Sequence, residues 1–348
     1  MGTLRIHGTI DIAQFWPVGT ADADTTKIKL EVNANSFEYR KEGTRTFHST
    51  AAFIGATAKG QVSKEVITTA KKTGAQTITV RLQGVDAPEL HYRAAPLKNS
   101  PAVSTALRQQ FNKINVERRQ CFGESSTVAL AKYLKKIADS SGIIKAVFET
   151  EVNEPSDAID TYGRFVGNIT VNKKIDINVW LVENGWGHPS FYTSMSADEI
   201  NIFLTAWKKG KTKLSRPGKS LSKDAGKFNW KLLYNQPKKG VVIPFTPGED
   251  KGKVLMPKIF RRQVSWMVAK KAGVIASNTK FKEYLQLKPD QLVMLNDFLE
   301  NTLNSAEVKV LDEFVTSKNI VTKNPEDVVF KEKPSSLVNA NGKKITQW

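Results

Sequence analysis

Short stretches in which apolar and polar residues alternate are common in the first part of the chain, and this period of two is typical of half-buried strands. Residues 4–16 alternate loosely, and residues 27–32 alternate strictly. The runs at 78–80, 143–152 and 165–171 are rich in residues that favour strands. Each of these stretches therefore predicts a strand.

Apolar residues recur at intervals of three and four residues farther along the chain, and this spacing predicts helices. Predicted helices cover residues 103–114, 129–137 and 175–184, and Gly185 closes the last of them. Ser196 and Glu199 form a capping box, which predicts that another helix begins there.

The composition changes at about residue 215. Residues 215–253 are rich in Pro, Gly and Lys, which predicts a basic linker or an extended arm. Helical patterns return at 260–271 and 289–303. Residues 254–330 are therefore expected to form a smaller, mainly helical accessory region, and residues 331–348 are expected to be a disordered tail.

The chain of 348 residues is long enough for two domains, and its hydrophobic content of 40% allows a sizeable core. Lys and Arg number 52 against 34 Asp and Glu, which gives a formal net charge of +18. Such a balance favours a polyanionic partner, either nucleic acid or an anionic surface, over a basic surface that serves solubility alone.

The single cysteine excludes an intramolecular disulfide and a cysteine-rich zinc site. No run reaches the roughly 18 uninterrupted apolar residues of a membrane helix, so no membrane association is expected. The first residues lack the apolar core of a secretory signal, and none is expected in this sequence. The cellular location stays open between the cytoplasm and export by another route.

Charged residues crowd the end of the strand that starts near residue 78. Arg81, Asp86 and Glu89 lie within nine positions, and burying such charges is costly unless they meet a metal ion or a phosphate. A flat strand would place Arg81 and Asp86 on opposite faces. The chain must therefore bend between them, and Gly84 permits such a bend.

Two polar turns between predicted strands carry further charged residues. Asp24 and Thr25 end the first turn, which on its own is typical of a solvated hairpin. Tyr162 and Arg164 lie in the second turn, Asp-Thr-Tyr-Gly-Arg, which is a weak signal when taken alone.

Taken in order, these motifs resemble the signatures of the staphylococcal nuclease (thermonuclease) family. The family has an Asp-Gly-Asp-Thr turn, an Arg followed by Val-Asp-x-Pro-Glu, and an Asp-Lys-Tyr-Gly-Arg turn, and residues 178–185 resemble its Asn-x-x-Leu-Val-x-x-Gly helix. The chain departs from the family at Ala23, Ala87 and Thr161, where the family has Gly, Thr and often Lys.

The resemblance implies an α+β fold for residues 1–214, a five-stranded OB-fold β-barrel with packed helices. Compared with the family, the chain carries insertions at about residues 33–76 and 92–142. Residues 1–214 are expected to be a self-contained nuclease domain, which residues 215–348 follow without a recognised relative.

The resemblance also assigns roles to residues, and these roles explain the charges at the strand ends. The implied catalytic residues are Arg81, Glu89 and Arg164. The implied ligands of a calcium ion are the carboxylates of Asp24 and Asp86 and the backbone carbonyl of Ala87. The implied substrate-binding residues are Tyr162 and either Phe191 or Tyr192, one of which would stack on a base unless both belong to the core.

The implied function is calcium-dependent endonuclease activity on DNA and/or RNA, with an arginine clamp on the phosphate and a water molecule that attacks it. The alternative is a catalytically inactive OB-fold module that binds nucleic acid or docks onto a partner. The charged residues are all retained, which favours the enzyme. Docking of a protein partner through residues 254–330 stays a further alternative.

Overall fold

The first part of the chain folds mainly into strands, and helices follow from residue 105 onwards. The computed structural model describes residues 1–12, 21–31, 36–69, 74–98, 100–118, 120, 122–211, 255–300, 307–318 and 320–348. The predicted linker at 215–253 lies outside the described residues. The strands are β1 (Gly2–Asp11), β2 (Thr25–Leu30), β3 (Phe37–Arg40), β4 (His48–Ser49), β5 (Thr57–Lys59), β6 (Ser63–Glu65), β7 (Ile67–Thr69), β8 (Gln76–Leu82), β9 (Gly84–Asp86), β10 (Ile143–Val152), β11 (Phe165–Val171), β12 (Ile175–Asp176), β13 (His188–Tyr192), β14 (Gln291–Met294), β15 (Lys309–Val310), β16 (Val328–Phe330) and β17 (Ser336–Val338). The α-helices are α1 (Thr105–Ile114), α2 (Gly123–Ile137), α3 (Ile177–Glu183), α4 (Ala197–Lys211), α5 (Pro257–Ala272), α6 (Phe281–Gln286) and α7 (Leu295–Leu299).

Five strands close into a barrel in the order β10, β11, β8, β2 and β1, and β1 pairs with β10 to complete the circle. Burial alternates strictly along β1, so that Leu4, Ile6 and Ile10 point into the barrel. Aromatic rings fill the interior, where the ring centroids of Phe53 and Phe165 lie 5.0 Å apart. The predicted α+β fold with a five-stranded OB-type barrel is confirmed.

The chain bends between β8 and β9, as the spacing of Arg81 and Asp86 predicts. Gly84 has φ +76°, which L side chains rarely adopt, and a Cβ atom there would overlap the ring of Phe203. The bend takes β9 out of the barrel and into a second sheet, where it pairs with β13.

Helix α3 stabilises this bend through one buried side chain. The Asn178 Nδ2 atom donates to the carbonyl oxygens of Gln83 at 2.9 Å and Gly167 at 3.0 Å. Helix α4 then begins at the predicted capping box, because the Ser196 backbone N–H donates to Glu199 at 3.0 Å and Glu199 N–H donates to Ser196 Oγ at 3.3 Å. The helices predicted around these residues are thus confirmed.

The two segments predicted to be insertions contain regular structure. Strands β3 to β7 lie in the first segment, and α1 and α2 lie in the second, close to the helices predicted at 103–114 and 129–137. That these segments are insertions relative to the family stays a prediction.

Residues 255–348, here called the C-terminal segment, contain helices as expected and also short strands that pair with the first part of the chain. Strand β16 runs parallel to β13, with Phe191 opposite Val329, and β17 pairs with β5, with Leu337 opposite Ala58. Val329 and Leu337 belong to the same hydrophobic cluster as the barrel core.

The prediction of a disordered tail at 331–348 is wrong. Strand β17 lies within it, and the Trp348 ring stacks on Tyr39 at 4.1 Å between centroids. The Trp348 Nε1 atom also donates to the Asn153 carbonyl at 2.8 Å. The tail is polar in sequence, yet these pairings with β5 and the barrel order it.

Candidate functional site

Arg81 brings together two carboxylates from separate parts of the chain. Its Nη1 atom lies 2.7 Å from Asp24 Oδ2, and its Nη2 atom lies 2.5 Å from Asp86 Oδ1. The side chains of Asp24 and Asp86 are 1% and 0% exposed, and that of Arg81 is 13% exposed. The strand end and the first polar turn therefore converge, as their motifs predict.

The turn that carries Asp24 is bonded directly to the chain that follows β9. Asp24 Oδ2 accepts the backbone N–H of Ala87 at 2.6 Å, and its Oδ1 accepts from the Thr25 hydroxyl at 3.2 Å. Asp22 Oδ1, two residues earlier, accepts the backbone N–H of Leu90 at 2.5 Å. Both carboxylates thus fix the position of the segment that leads to Glu89.

Asp22 is a site residue that sequence reasoning missed. Burial and the neighbouring Asp24 carboxylate raise the pKa of Asp22 to about 7. Its place in the same acidic turn as Asp24 was a signal that could have found it. Together Asp22, Asp24, Asp86 and Glu89 form what we call the carboxylate cluster.

Glu89 is buried, and its backbone N–H donates to Gln120 Oε1 at 3.1 Å. Burial raises the pKa of Glu89 to about 8, and the carboxylates of Asp22, Asp86 and Asp24 raise it as well, against the opposing effect of Arg261. Near pH 7 the raised pKa favours the protonated, neutral form of Glu89.

Arg261, on helix α5, is a second residue that sequence reasoning missed. Its Nη1 atom pairs with Glu89 Oε1, and its Nη2 atom lies 3.4 Å from Asp86 Oδ2. Although burial alone would raise it, Arg261 and Arg81 lower the pKa of Asp86 to about 2. The sequence marks Arg261 only as one of several basic residues in a helix, 172 residues away from Glu89.

Arg164 lies beside this cluster and contacts it through Thr25. Its Nη1 atom lies 3.2 Å from Thr25 Oγ1, and its Nε atom donates to Asp160 Oδ2 at 2.8 Å. Asp160 also accepts the backbone N–H groups of Tyr162 and Arg164, each at 2.9 Å. The second polar turn therefore presents Arg164 next to Asp24, with the Tyr162 side chain exposed.

The comparison with known families matches residues 79–215 to the staphylococcal nuclease homologue model. This part of the chain is therefore similar to the staphylococcal nuclease family. The match includes Arg81, Asp86, Glu89 and Arg164, whereas Asp24 precedes it in the chain. No curated protein matches the chain.

Of the two aromatic residues that the family resemblance proposed to stack on a base, Phe191 is excluded. Its side chain is 0% exposed and belongs to the barrel core, because it points inward from β13. Tyr192 is half-buried on the opposite face of the same strand, and Lys258 Nζ lies 5.3 Å from its ring centroid. Tyr192 remains the candidate.

His188 lies on β13, opposite Asp86 in the strand register. Its ring is fully buried and lies 5.8 Å from that of Trp207. Burial lowers the pKa of His188 to about 4, so the ring is neutral near pH 7 and adds no charge to the nuclease-like site.

The atoms around Arg81 that could act as metal ligands are oxygens, which suit a hard divalent cation such as calcium. Among the described residues, however, no three His, Cys, Asp or Glu side chains are arranged to hold a metal ion. The oxygens of Asp24 and Asp86 instead accept from Arg81, Arg261 and the backbone of Ala87 and Lys258. These oxygen ligands are of the type that calcium prefers, but in this structure they already accept from the two arginines and the two backbone N–H groups.

Among the described residues, no helix is long and apolar enough to cross a bilayer.

Proposed function

We propose that the chain is a calcium-dependent endonuclease that hydrolyses phosphodiester bonds of DNA and/or RNA. The observation that carries this proposal is the double contact of Arg81 with Asp24 and Asp86, next to Glu89 and Arg164. Five charged residues from three distant segments of the chain meet in one place. Burying charged groups costs free energy of desolvation, and a hydrophobic core folds without such groups, so this arrangement points to a functional site.

Arg81 and Arg164 are proposed to bind the phosphate. A guanidinium group can donate two parallel hydrogen bonds to phosphate oxygens, and its attraction grows as negative charge develops on them. Arg164 is oriented for such a role, because Asp160 and Thr25 fix its guanidinium at the edge of the carboxylate cluster.

Glu89 is proposed to orient the attacking water and accept its proton. It lies in the same segment as Asp86, and Gln120 fixes its backbone. Asp24, Asp86 and the Ala87 carbonyl would hold the calcium ion, which supplies positive charge to a phosphate when it is bound.

The substrate class follows from charge and from aromatic side chains. A net charge of +18 favours a polyanion. Tyr162 is 45% exposed beside Arg164, and Tyr192 is half-buried close to Lys258. Both rings are proposed to contact bases or sugars next to the bound phosphate.

The second candidate function is an inactive module that binds nucleic acid. The burial of Asp24 and Asp86 under guanidinium groups supports it, because such ion pairs could stabilise the fold without any chemistry. In that case the basic surface would bind nucleic acid with a strong dependence on salt and without cleavage.

Plasmid cleavage in calcium, in magnesium and in chelator separates the two candidates. The variant is Arg81→Ala, and the matched control is Arg5→Gln, which removes a guanidinium that pairs with Glu149 on β10. Cleavage that requires calcium, falls about 10²–10³-fold in Arg81→Ala and persists in Arg5→Gln is the expected result. Salt-sensitive binding with no cleavage in any metal would overturn the nuclease assignment.

A further inference from the structure

Helix α5 of the C-terminal segment places a guanidinium group inside the carboxylate cluster. Arg261 contacts Glu89 through Nη1 and Asp86 through both terminal nitrogens, each 3.4 Å from an Asp86 oxygen. The backbone N–H of Lys258, one turn earlier, donates to Asp86 Oδ2 at 3.2 Å. The two carboxylates therefore face the first turn of α5.

The first turn of α5 is fixed by contacts on several sides. Gln120 Nε2 donates to the Leu255 carbonyl at 2.9 Å, and the same side chain accepts from the Glu89 backbone. Lys258 Nζ lies 4.1 Å from the ring centroid of Phe330. These contacts fix the backbone of helix α5 near Arg261. The position of the guanidinium group therefore depends on the packing of the helix as well as on the conformation of the side chain.

The neighbouring arginine of the same helix has a different partner. Arg262 donates from Nε and Nη2 to the two oxygens of Asp290, each at 2.6 Å, within the C-terminal segment. Adjacent residues of one helix point in different directions, so Arg261 and Arg262 make distinct contacts. Arg262 therefore offers a matched control for any effect of Arg261.

Charge explains why a guanidinium group is stable at this place. Asp86 pairs with Arg81 and Arg261, and Glu89 pairs with Arg261, while Asp22 and Asp24 add further negative charge nearby. A buried carboxylate without a cation is costly, so positive groups beside Asp86 stabilise its charged form.

We propose that Arg261 is the resident counter-ion of the carboxylate cluster, and that a divalent cation binds only when this guanidinium leaves Asp86 and Glu89. The two cations compete because both need the same Asp86 oxygens and repel each other at close range. Arg261 thus sets the affinity of the site for metal. This inference rests on the proposed metal dependence of the nuclease-like site.

Calcium titration by calorimetry, on the full chain at low ionic strength, tests the competition. Arg261→Gln is expected to bind calcium about 10- to 100-fold more tightly than the unchanged protein, the range for loss of one charged hydrogen-bonded pair. Arg262→Gln, which removes the same charge one position away, is expected to leave the affinity unchanged. Asp86→Asn in the Arg261→Gln background should remove the gain.

Equal calcium affinity in Arg261→Gln and the unchanged protein would overturn the proposal. So would loss of nucleotide affinity without any change in calcium affinity, because Arg261 would then bind phosphate alongside the metal. Cleavage assays keep the two proposals apart. Calcium-dependent cleavage with equal affinities retains the nuclease and rejects competition, whereas a gain in affinity without cleavage retains competition and rejects the nuclease.

A second measurement needs no variant and covers the case in which Arg261→Gln fails to fold. Saturating calcium should speed amide hydrogen exchange in residues 255–265 of the unchanged protein, because Asp86 can no longer accept from the Lys258 N–H. Unchanged or slower exchange there would contradict the release of the α5 contacts from Asp86.

Discussion

Arg81 and Arg261 both contact Asp86, and they come from distant parts of the chain. Arg81 belongs to barrel strand β8, is 13% exposed and lies 2.5 Å and 2.7 Å from its two carboxylate partners. Arg261 belongs to helix α5, is 26% exposed and lies 3.4 Å from Asp86. The barrel thus supplies close ion pairs within one rigid frame, whereas the C-terminal segment supplies a longer contact to Asp86 across an interface.

The site therefore has one side formed by the barrel and one side formed by the C-terminal segment. The positions of Asp24, Arg81 and Asp86 follow from the barrel and from the bend at Gly84. The position of Arg261 depends on how the C-terminal segment packs. The following predictions separate these contributions, beginning with the largest expected effect.

Removal of residues 255–348 tests whether the barrel side can exist alone. We expect the remaining fragment to lose its cooperative fold, because β13 and β5 would lose their partners β16 and β17 and the core would lose Val329 and Leu337. Circular dichroism melting of the fragment and the full chain measures this loss. A fragment that melts cooperatively near the temperature of the full chain would support the expectation that residues 1–214 are self-contained.

Glu89→Gln tests the chemistry at the boundary of the two sides. Cleavage should fall by about 10²–10⁴-fold, the scale of a general base, because an amide cannot accept the proton of water. Nucleic-acid binding should persist, since the basic surface is unaltered. The cleavage rate is measured on a plasmid, and the affinity for nucleic acid is measured by titration. The control is Glu38→Gln, which changes a β3 residue that pairs with His7. Undiminished cleavage would remove Glu89 from the mechanism.

Asp290→Asn tests the support of helix α5. Burial alone would raise the pKa of Asp290, but Lys258 and Arg262 lower it to about 2. A folded-state pKa below the unfolded value means stability that is present above about pH 4 and is lost as the pH falls through about 2. The expected contribution at pH 7 is about 2 kcal/mol.

Denaturant unfolding at pH 7 and near pH 2 measures this contribution. The difference in unfolding free energy between the unchanged protein and Asp290→Asn should shrink as the pH falls. A difference that is the same at both values would show that the ion pair with Arg262 does not provide the stability.

The features that the sequence predicts have local signals. The barrel strands show a period of two, the capping box lies within four residues, and the odd spacing of Arg81 and Asp86 requires the bend found at Gly84. The family motifs also predict which turns lie close together in the fold. The roles of the converging residues remain proposals.

The features that the sequence does not predict have long-range causes. Strands β16 and β17 have three residues each, too few for any period to be visible, and they form because free strand edges accept them. Phe191 and Tyr192 are neighbours of similar type, and only the sheet decides which of them faces the core. The contact of Arg261 with Glu89 spans 172 residues.

The place of β16 in the second sheet also has a consequence for biosynthesis. This strand lies between β13 and β14, so the sheet that contains β9 cannot be completed until residue 330 has been made. Pairing over such a separation in sequence is slow, because a long loop must close first. During translation the barrel strands therefore emerge well before the sheet that carries Asp86 can form, and β13 lacks its β16 partner throughout that interval.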